Sequence, residues 1–284
     1  MNVQHVLING DLVPAPEARL HVSDLGLLRG YGVFDFFRVL GGQPLFLADY
    51  LERFQRSARL VGLTPPLDAA GLEREVTRLI AANRAGDAGC HLLLTGGESE
   101  DGFAPTKPAL VMQLRALRAS DSRLYRDGAR LLLHEHRREL PEAKTTNYLT
   151  ALRLLGEQQA QGAVDILYHW QGRVLETARS NVFALRADGV LVTPGRGVLA
   201  GVTRKHLLEL ARTRYRVLEA DLSLAELFAA REVFISSSLK GVMPVVGIGE
   251  RTIGSGRPGE VALALAAAFQ ARVAAYLGAP ATGA

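Results

Sequence analysis

The chain has 284 residues, of which 48% are hydrophobic and 22% charged, as in a globular protein of one large or two modest domains. Its net charge of +4 is spread along the sequence without a run of five basic residues, so nucleic-acid binding is not expected. The single cysteine, Cys90, excludes an internal disulfide. Because no cationic-then-apolar signal segment opens the chain and its most apolar stretch, residues 261–269, is about half a membrane span, we expect a cytoplasmic protein without membrane contact.

The first part of the chain, residues 1–118, is predicted to form a small α+β domain. Apolar residues at helical spacing predict helices at 49–63 and 67–83. Three glycines within residues 23–32 predict unusual turns or close backbone approach. Strands are predicted at 6–13 as a hairpin and at 19–22, 33–40, 44–47, 90–94 and 110–114.

Residues 119–128 are polar and without periodicity, and they are predicted to be an interdomain linker. The remaining residues, 129–284, are predicted to form a larger domain in which strands and helices alternate. Its predicted helices are 148–161, 203–215, 223–230 and 260–277. Its predicted strands are 129–134, the hairpin 163–174, 181–185, 190–193, 232–237 and the hairpin 243–253.

Lys144 lies between a predicted strand and a predicted helix, in a chain where only four of 33 basic residues are lysines. Arginine cannot supply a deprotonatable amine, whereas a desolvated lysine can act as a Schiff-base nucleophile. The alternative interpretation of Lys144 is a solvated surface lysine.

Two hydroxyl-rich segments are candidates for a phosphate site. Gly201-Val202-Thr203-Arg204 opens a predicted helix, where free backbone amides bind anions, although Thr203 could equally be a simple N-cap. Ser236-Ser237-Ser238 ends a predicted strand and could surround a phosphate or form a turn. Together with an amine at Lys144, these segments suggest pyridoxal phosphate.

Glu176 is a carboxylate between two apolar predicted strands and is the natural partner for the ring nitrogen of such a cofactor. The alternative is a surface glutamate paired with Arg179. His134 and His136 alternate on a strand without a third ligand at metal spacing, so no metal site is expected.

Five motifs, taken in order, resemble the class IV (fold type IV) pyridoxal-phosphate enzymes, which include branched-chain aminotransferases, D-amino-acid aminotransferases and aminodeoxychorismate lyases. The resemblance covers the chain from Asn9 to about Pro244. It implies a small α+β domain followed by a larger mixed, β-barrel-like domain with helices. It also implies a homodimer in which the glycine segment of one subunit completes the pocket of the other. The motifs are Ser23-Asp24 with Gly30-Tyr31-Gly32-Val33-Phe34, Leu51-Glu52-Arg53-Phe54, Lys144 with Asn147, Glu176 with Ser180-Asn181-Val182-Phe183, and Leu199-Ala200-Gly201-Val202-Thr203-Arg204.

The same resemblance implies roles for individual residues toward pyridoxal 5′-phosphate. Lys144 is implied to hold the cofactor as an internal aldimine and to move the proton between the substrate Cα and the cofactor C4′. Glu176 is implied to pair with the pyridine nitrogen, and Leu199 to pack on one ring face. Without the resemblance, Leu199 is a core residue and Arg53 a helix-surface arginine. The residues implied to bind the phosphate are Arg53, Val202, Thr203, Ser237 and Ser238.

Departures from the family pattern bear on the substrate. Tyr50 stands where the family usually has histidine, and the loop 96–103 is acidic, without the arginine and histidine of the best-known D-amino-acid aminotransferases. Residues 237–240 are closer to the lyases' pattern than to that of the branched-chain enzymes. Two arginines, Arg29 and Arg179, resemble those that bind the α-carboxylate in a less typical D-amino-acid aminotransferase subgroup.

Arg29, Tyr31 and Arg179 are therefore predicted to bind substrate. The alternatives are a solvent-facing Arg29 and an Arg179 that pairs with Glu176. We expect a transaminase acting on D-amino acids such as D-alanine and D-glutamate and on 2-oxo acids. A lyase forming 4-aminobenzoate, a branched-chain L-amino-acid aminotransferase and a non-enzymatic binding protein remain alternatives.

Overall fold

The computed structural model describes residues 3–117 and 120–278, which divide into two compact units. The first unit contains the described residues up to 117 together with Ala143–Asn147, and the second contains residues 120–142 and those from Tyr148 onward. The predicted domain end at 118 and linker start at 119 lie outside the described residues. The assignment of Ala143–Asn147 to the first unit differs from the span 129–284 predicted for the second domain.

The first unit is built on an antiparallel sheet whose strand order is β2-β1-β6-β5-β3-β4. Its strands are β1 (His5–Ile8), β2 (Asp11–Pro14), β3 (Gly32–Leu40), β4 (Gln43–Pro44), β5 (Ala88–Thr95) and β6 (Ala109–Arg115). Its helices are α1 (Leu25–Arg29), α2 (Leu47–Leu60) and α3 (Ala69–Ala82), with a 3-10 turn at Ala15–Glu17. Side chains of β3 alternate in burial, and α2 buries Leu51, Phe54 and Ala58, as their period-2 and helical spacings predict.

The strand predicted at residues 19–22 is wrong, because this segment contains a turn that leads into α1. The Asp24 carboxylate accepts the Gly26 N–H and so caps α1 at its start. Gly30 ends the helix in the left-handed region with φ of 64°, where a glycine carries no Cβ penalty. Of the three glycines, Gly26 therefore lies within a short helix, Gly30 ends it and Gly32 begins β3.

The second unit is built on a mixed sheet of order β12-β11-β10-β13-β14-β7-β8-β9, with β15 on β14. Three strand pairs are parallel: β7 with β8, β7 with β14, and β11 with β12. Its strands are β7 (Ala129–Glu135), β8 (Asp165–Trp170), β9 (Arg173–Thr177), β10 (Asn181–Leu185), β11 (Leu191–Thr193), β12 (Val217–Glu219), β13 (Glu232–Ser237), β14 (Gly241–Ile248) and β15 (Arg251–Thr252). Its helices are α4 (Arg123–Arg126), α5 (Leu149–Arg153), α6 (Leu155–Ala160), α7 (Val202–Arg212), α8 (Leu224–Phe228) and α9 (Glu260–Tyr276).

Several boundaries in the second unit differ from their predictions. The single helix predicted at 148–161 is two helices that meet at Leu154, and α4 lies within the predicted linker. Helix α7 begins at Val202 behind Gly201, so the interpretation of Thr203 as its N-cap is wrong. No helix among the described residues is long and apolar enough to cross a membrane.

Candidate active site

Lys144 is half-buried in the first unit, where the short segment Ala143–Asn147 joins the start of β3. Its backbone carbonyl accepts the Phe34 N–H at 2.9 Å, and its own N–H donates to Ser57 Oγ at 3.1 Å. Its Nζ lies 4.5 Å from the centroid of the Phe34 ring. The amine is thus held against an aromatic face, which differs from the solvated surface lysine considered as the alternative.

His91 is the next ring in this arrangement and lies against Phe34, with the ring centroids 5.2 Å apart. Burial and the nearby charges of Arg115 and Lys144 lower the pKa of His91 to about 4, against an opposing effect of Asp35. His91 is therefore neutral at pH 7 and adds no positive charge beside Lys144.

Arg53 is buried on α2, one helical turn before Ser57, and forms an ion pair with Asp35. Its Nε and Nη2 donate to the two Asp35 oxygens at 2.9 and 2.5 Å. Asp35 is itself fully buried on β3. The helix-surface interpretation of Arg53 is therefore wrong, and Ser57 connects the helix of Arg53 with the backbone of Lys144.

The two predicted substrate residues of the glycine segment differ in exposure. Arg29 is exposed at the end of α1, and its Nη1 donates to the Leu28 carbonyl. Tyr31 is half-buried, and its hydroxyl donates to the Val61 carbonyl at 2.7 Å.

Glu176 lies near the end of β9 in the second unit and is 6% exposed. Arg138 donates to its Oε1 from Nε at 2.9 Å and from Nη2 at 2.5 Å, and the Leu199 N–H donates to its Oε2 at 3.0 Å. The expected alternative partner, Arg179, instead lies with its Nε 3.9 Å from Asp165 Oδ1. The surface interpretation of Glu176 is wrong, because this carboxylate is buried and fixed on both oxygens.

Leu199 leads from Glu176 to the start of α7. Its carbonyl accepts from Asn181 Nδ2 at 2.8 Å, and Asn181 also closes over Gly201, where a Cβ would lie 2.0 Å from Asn181 Oδ1. Only glycine fits this approach. Val202 and Thr203, both buried, form the first turn of α7, whose N–H groups have no acceptor within the helix.

Ser236 contributes a buried polar atom beside this turn. Its Oγ has no hydrogen-bond partner among the described residues, although the residue is 1% exposed. Ser236 lies directly opposite Asn181 in the β10–β13 ladder, so the two side chains share a face of the sheet. An unpartnered buried hydroxyl beside free helix amides is the composition expected of a site for an anionic group.

Ser237 is the last residue of β13 and Ser238 begins the turn to β14, where Ser237 Oγ accepts the Lys240 N–H at 3.2 Å. Lys240 Nζ lies 2.8 Å from Asp165 Oδ2 and 3.1 Å from Ser180 Oγ. The exposed Arg179 donates to the Val164 carbonyl and faces the same aspartate. The predicted residues of the second unit therefore form two groups, one around Glu176 and α7 and one around Asp165.

The ion-pair partners in these networks that were not among the predicted site residues are Asp35, Arg138, Asp165 and Lys240. Asp35 could have been found from its place beside the matched Val33-Phe34 motif, and Lys240 from the scarcity of lysine. Arg138 and Asp165 carry no such signal, since their partners are 38 and 75 residues away in sequence.

Comparisons with known proteins agree with these features. The sequence profile of the class IV amino-transferases matches residues 32–248. A Methanocaldococcus jannaschii protein with the provisional name branched-chain-amino-acid aminotransferase is 30% identical over 276 residues, which cover 93% of this chain and 95% of that protein. The D-alanine aminotransferase of Bacillus licheniformis is 27% identical over 274 residues, with coverage of 93% and 95%.

Solved structures extend the similarity to the fold. The branched-chain aminotransferase of the thermophilic archaeon Thermoproteus uzoniensis, solved with norvaline, superimposes with a TM-score of 0.86 at 26% identity, covering 96% of this chain and 95% of that one. Another branched-chain amino acid aminotransferase, solved with pyridoxamine 5′-phosphate, superimposes with a TM-score of 0.89 at 26% identity, with coverage of 97% and 96%.

Proposed function

The chain belongs to the class IV amino-transferase family, and on that premise we propose that it transfers amino groups between D-amino acids, such as D-alanine and D-glutamate, and 2-oxo acids. Membership confirms the predicted fold type IV, the aminotransferase activity and the pyridoxal-phosphate cofactor. The proposal concerns the substrate and its enantiomer, the roles of individual residues, the homodimer and a cytoplasmic location.

The residues of each unit fit this cofactor by their chemistry. The cofactor's aldehyde requires an amine, which the half-buried Lys144 supplies. Its pyridine nitrogen requires a carboxylate, which is the buried Glu176, and its phosphate requires donors such as the unpartnered Ser236 hydroxyl beside the start of α7. When bound, pyridoxal phosphate supplies an electron sink for the charge that develops at the substrate α-carbon.

We propose the following roles for the chain's own residues. Lys144 attaches the cofactor and moves the proton at the substrate α-carbon, and Glu176, fixed by Arg138, pairs with the ring nitrogen. Leu199 packs on a ring face. Arg53, Val202, Thr203, Ser237 and Ser238 bind the phosphate, and Arg29, Tyr31 and Arg179 bind the substrate.

The exposed but anchored position of Arg179 is the observation that supports a D-amino-acid substrate. Its side chain is 57% exposed, yet it is anchored by the Val164 carbonyl and faces Asp165. A guanidinium has five N–H donors, so an anchored and exposed one retains donors for a bidentate carboxylate contact. The similarity to D-alanine aminotransferases supports the same substrate class.

A branched-chain L-amino-acid aminotransferase is the second candidate, because the 30%-identical relative and both superimposed structures carry the branched-chain name. The lyase alternative depends on residues 237–240 alone. Visible absorbance of the purified holoenzyme, recorded during separate additions of D-alanine and L-leucine, distinguishes the candidates.

Loss of the visible cofactor band with D-alanine alone is the expected result. Loss with L-leucine alone would replace the proposal by the branched-chain activity, and no response to either would favour the lyase. Lys144→Ala is expected to lack both the band and turnover, and transamination by this variant would refute the role of Lys144.

A further inference from the structure

Arg204 is a buried cation in the first turn of a helix, a position that is unfavourable on two counts. It is 7% exposed, and it occupies the third residue of α7, where the helix dipole disfavours positive charge. Burial lowers the pKa of the Arg204 guanidinium, although the Glu219 carboxylate acts against that shift. A cation at this place needs strong compensating contacts.

Those contacts come from the ends of two neighbouring strands. Arg204 Nη1 lies 2.9 Å from Glu219 Oε2, and its Nη2 donates to the Pro194 carbonyl at 2.9 Å. Its Nε donates to Thr193 Oγ1 at 3.3 Å. Thr193 and Glu219 are the last residues of β11 and β12 and are partners in their parallel ladder. One side chain therefore ties the first turn of α7 to both strands.

A second attachment holds the other side of the same turn. Gly201 lies against Asn181 at the start of β10, so closely that any side chain at 201 would clash. Between these two attachments lie Val202 and Thr203, and beside them is the unpartnered hydroxyl of Ser236. The turn proposed to bind phosphate is thus fixed to three strands.

We propose that Arg204, through its ion pair with Glu219, is a positioning residue for the cofactor phosphate. It holds the first turn of α7 so that the N–H groups of Val202 and Thr203 point to one place, and it makes no contact with the cofactor itself. This inference rests on the proposed phosphate role of α7. Its specific consequence is that loss of Arg204 weakens binding of the phosphate more than binding of the rest of the cofactor.

The experiment compares two probes that differ only in the phosphate. Full-length protein is stripped of cofactor, and the Kd for pyridoxal 5′-phosphate and for pyridoxal is measured from the visible absorbance. For Arg204→Gln we expect a rise of about tenfold in the Kd for pyridoxal 5′-phosphate, by analogy with the loss of residues that orient metal ligands, and an unchanged Kd for pyridoxal. Glu219→Gln should change the same Kd in the same direction, and Arg204→Lys should recover part of the loss.

Arg212→Gln is the matched control. Arg212 pairs with the same Glu219 at 2.6 Å but is 53% exposed and lies at the far end of α7, so neither Kd should change. An unchanged Kd for pyridoxal 5′-phosphate in Arg204→Gln, or an equal loss for both probes, overturns the inference. If Arg204→Gln does not fold, Glu219→Gln decides by the same criteria. Wild-type protein that binds neither probe would instead overturn the proposed function.

Discussion

Asp35 and Arg53 form a buried ion pair in the first unit, and we expect Asp35→Asn to destabilise the protein strongly. The substitution keeps the size of the side chain but removes the charge that compensates a cation with only 6% exposure. Breaking a buried pair from one side costs about 3–5 kcal/mol. Urea unfolding followed by circular dichroism would measure the free energy of unfolding.

The control for that substitution is Asp121→Asn. Asp121 also binds an arginine, Arg123, through two donors, but this pair is exposed. Exposed pairs contribute little, so no measurable change is expected. Equal effects of the two substitutions would show that burial does not determine the strength of the Asp35–Arg53 pair.

Single residues also show which parts of the site the sequence can predict. Lys144 and Glu176 are identifiable from their residue types and their places beside apolar strands, but their partners are not. Arg179 is three residues from Glu176 and was the obvious alternative partner, whereas the structure uses Arg138, 38 residues away. The pairing of Arg138 with Glu176 depends on how the sheet places the ends of β7 and β9 near each other, and the local spacing of residues in the sequence does not encode that placement.

At the scale of elements, the turn between β13 and β14 is tied to β8 by Lys240 and Asp165. Burial acts to raise the pKa of Asp165, but the charges of Lys240 and Arg179 and hydrogen bonds from Lys240 and the Ile166 N–H bring it below its ordinary value of 3.8. The folded-state pKa is thus lower than the unfolded one. The ionised carboxylate therefore contributes its full stability at pH values above the unfolded-state pKa. This contribution is lost as the pH falls through the folded-state pKa.

Asp165→Asn should accordingly lower the free energy of unfolding by about 3 kcal/mol at pH 7, as for one side of a buried pair. The difference from wild type should stay constant down to about pH 5 and shrink below 3.8. Urea titrations of both proteins at a series of pH values would measure it. A difference that grows on acidification would contradict the assigned charge state, and the exposed Asp221→Asn serves as control.

Helices with a clear apolar period are predictable from the sequence, whereas the short helix α1 is not. Helices α2 and α3 span 14 residues each, and both are predictable from their apolar spacing. Helix α1 has five residues, too few to show a period, and its start and end depend on the Asp24 cap and on Gly30. The break between α5 and α6 at Leu154 also has no signal in the sequence, because the apolar pattern continues through it.

At the scale of the whole molecule, the division of the chain into units is not a simple cut along the sequence. Ala143–Asn147 lies in the second half of the chain but belongs to the first unit, through an isolated bridge between Val33 and Thr145. Five residues without periodicity give no signal of such a contact, so Lys144 was predicted as part of the second domain.

The proposed homodimer is the last testable consequence, and the first unit offers a candidate surface for it. Phe103 is 79% exposed and Leu27 is 72% exposed. Leu28, which follows Leu27, lies close to Gly102, which precedes Phe103, so the two exposed side chains belong to neighbouring segments. Large apolar side chains exposed together are typical of interfaces. This surface includes the glycine segment through which the family resemblance implies contact between subunits.

Light scattering should therefore give the wild-type protein twice the 30.6 kDa mass of one chain. Phe103→Asp should weaken the dimer by about tenfold or more in Kd, because a charge would be buried in an apolar contact. Leu60→Asp, at a residue 49% exposed near the end of α2, should leave the mass unchanged. A monomeric wild type would refute the dimer, whereas a dimer that tolerates Phe103→Asp would place the interface on another surface.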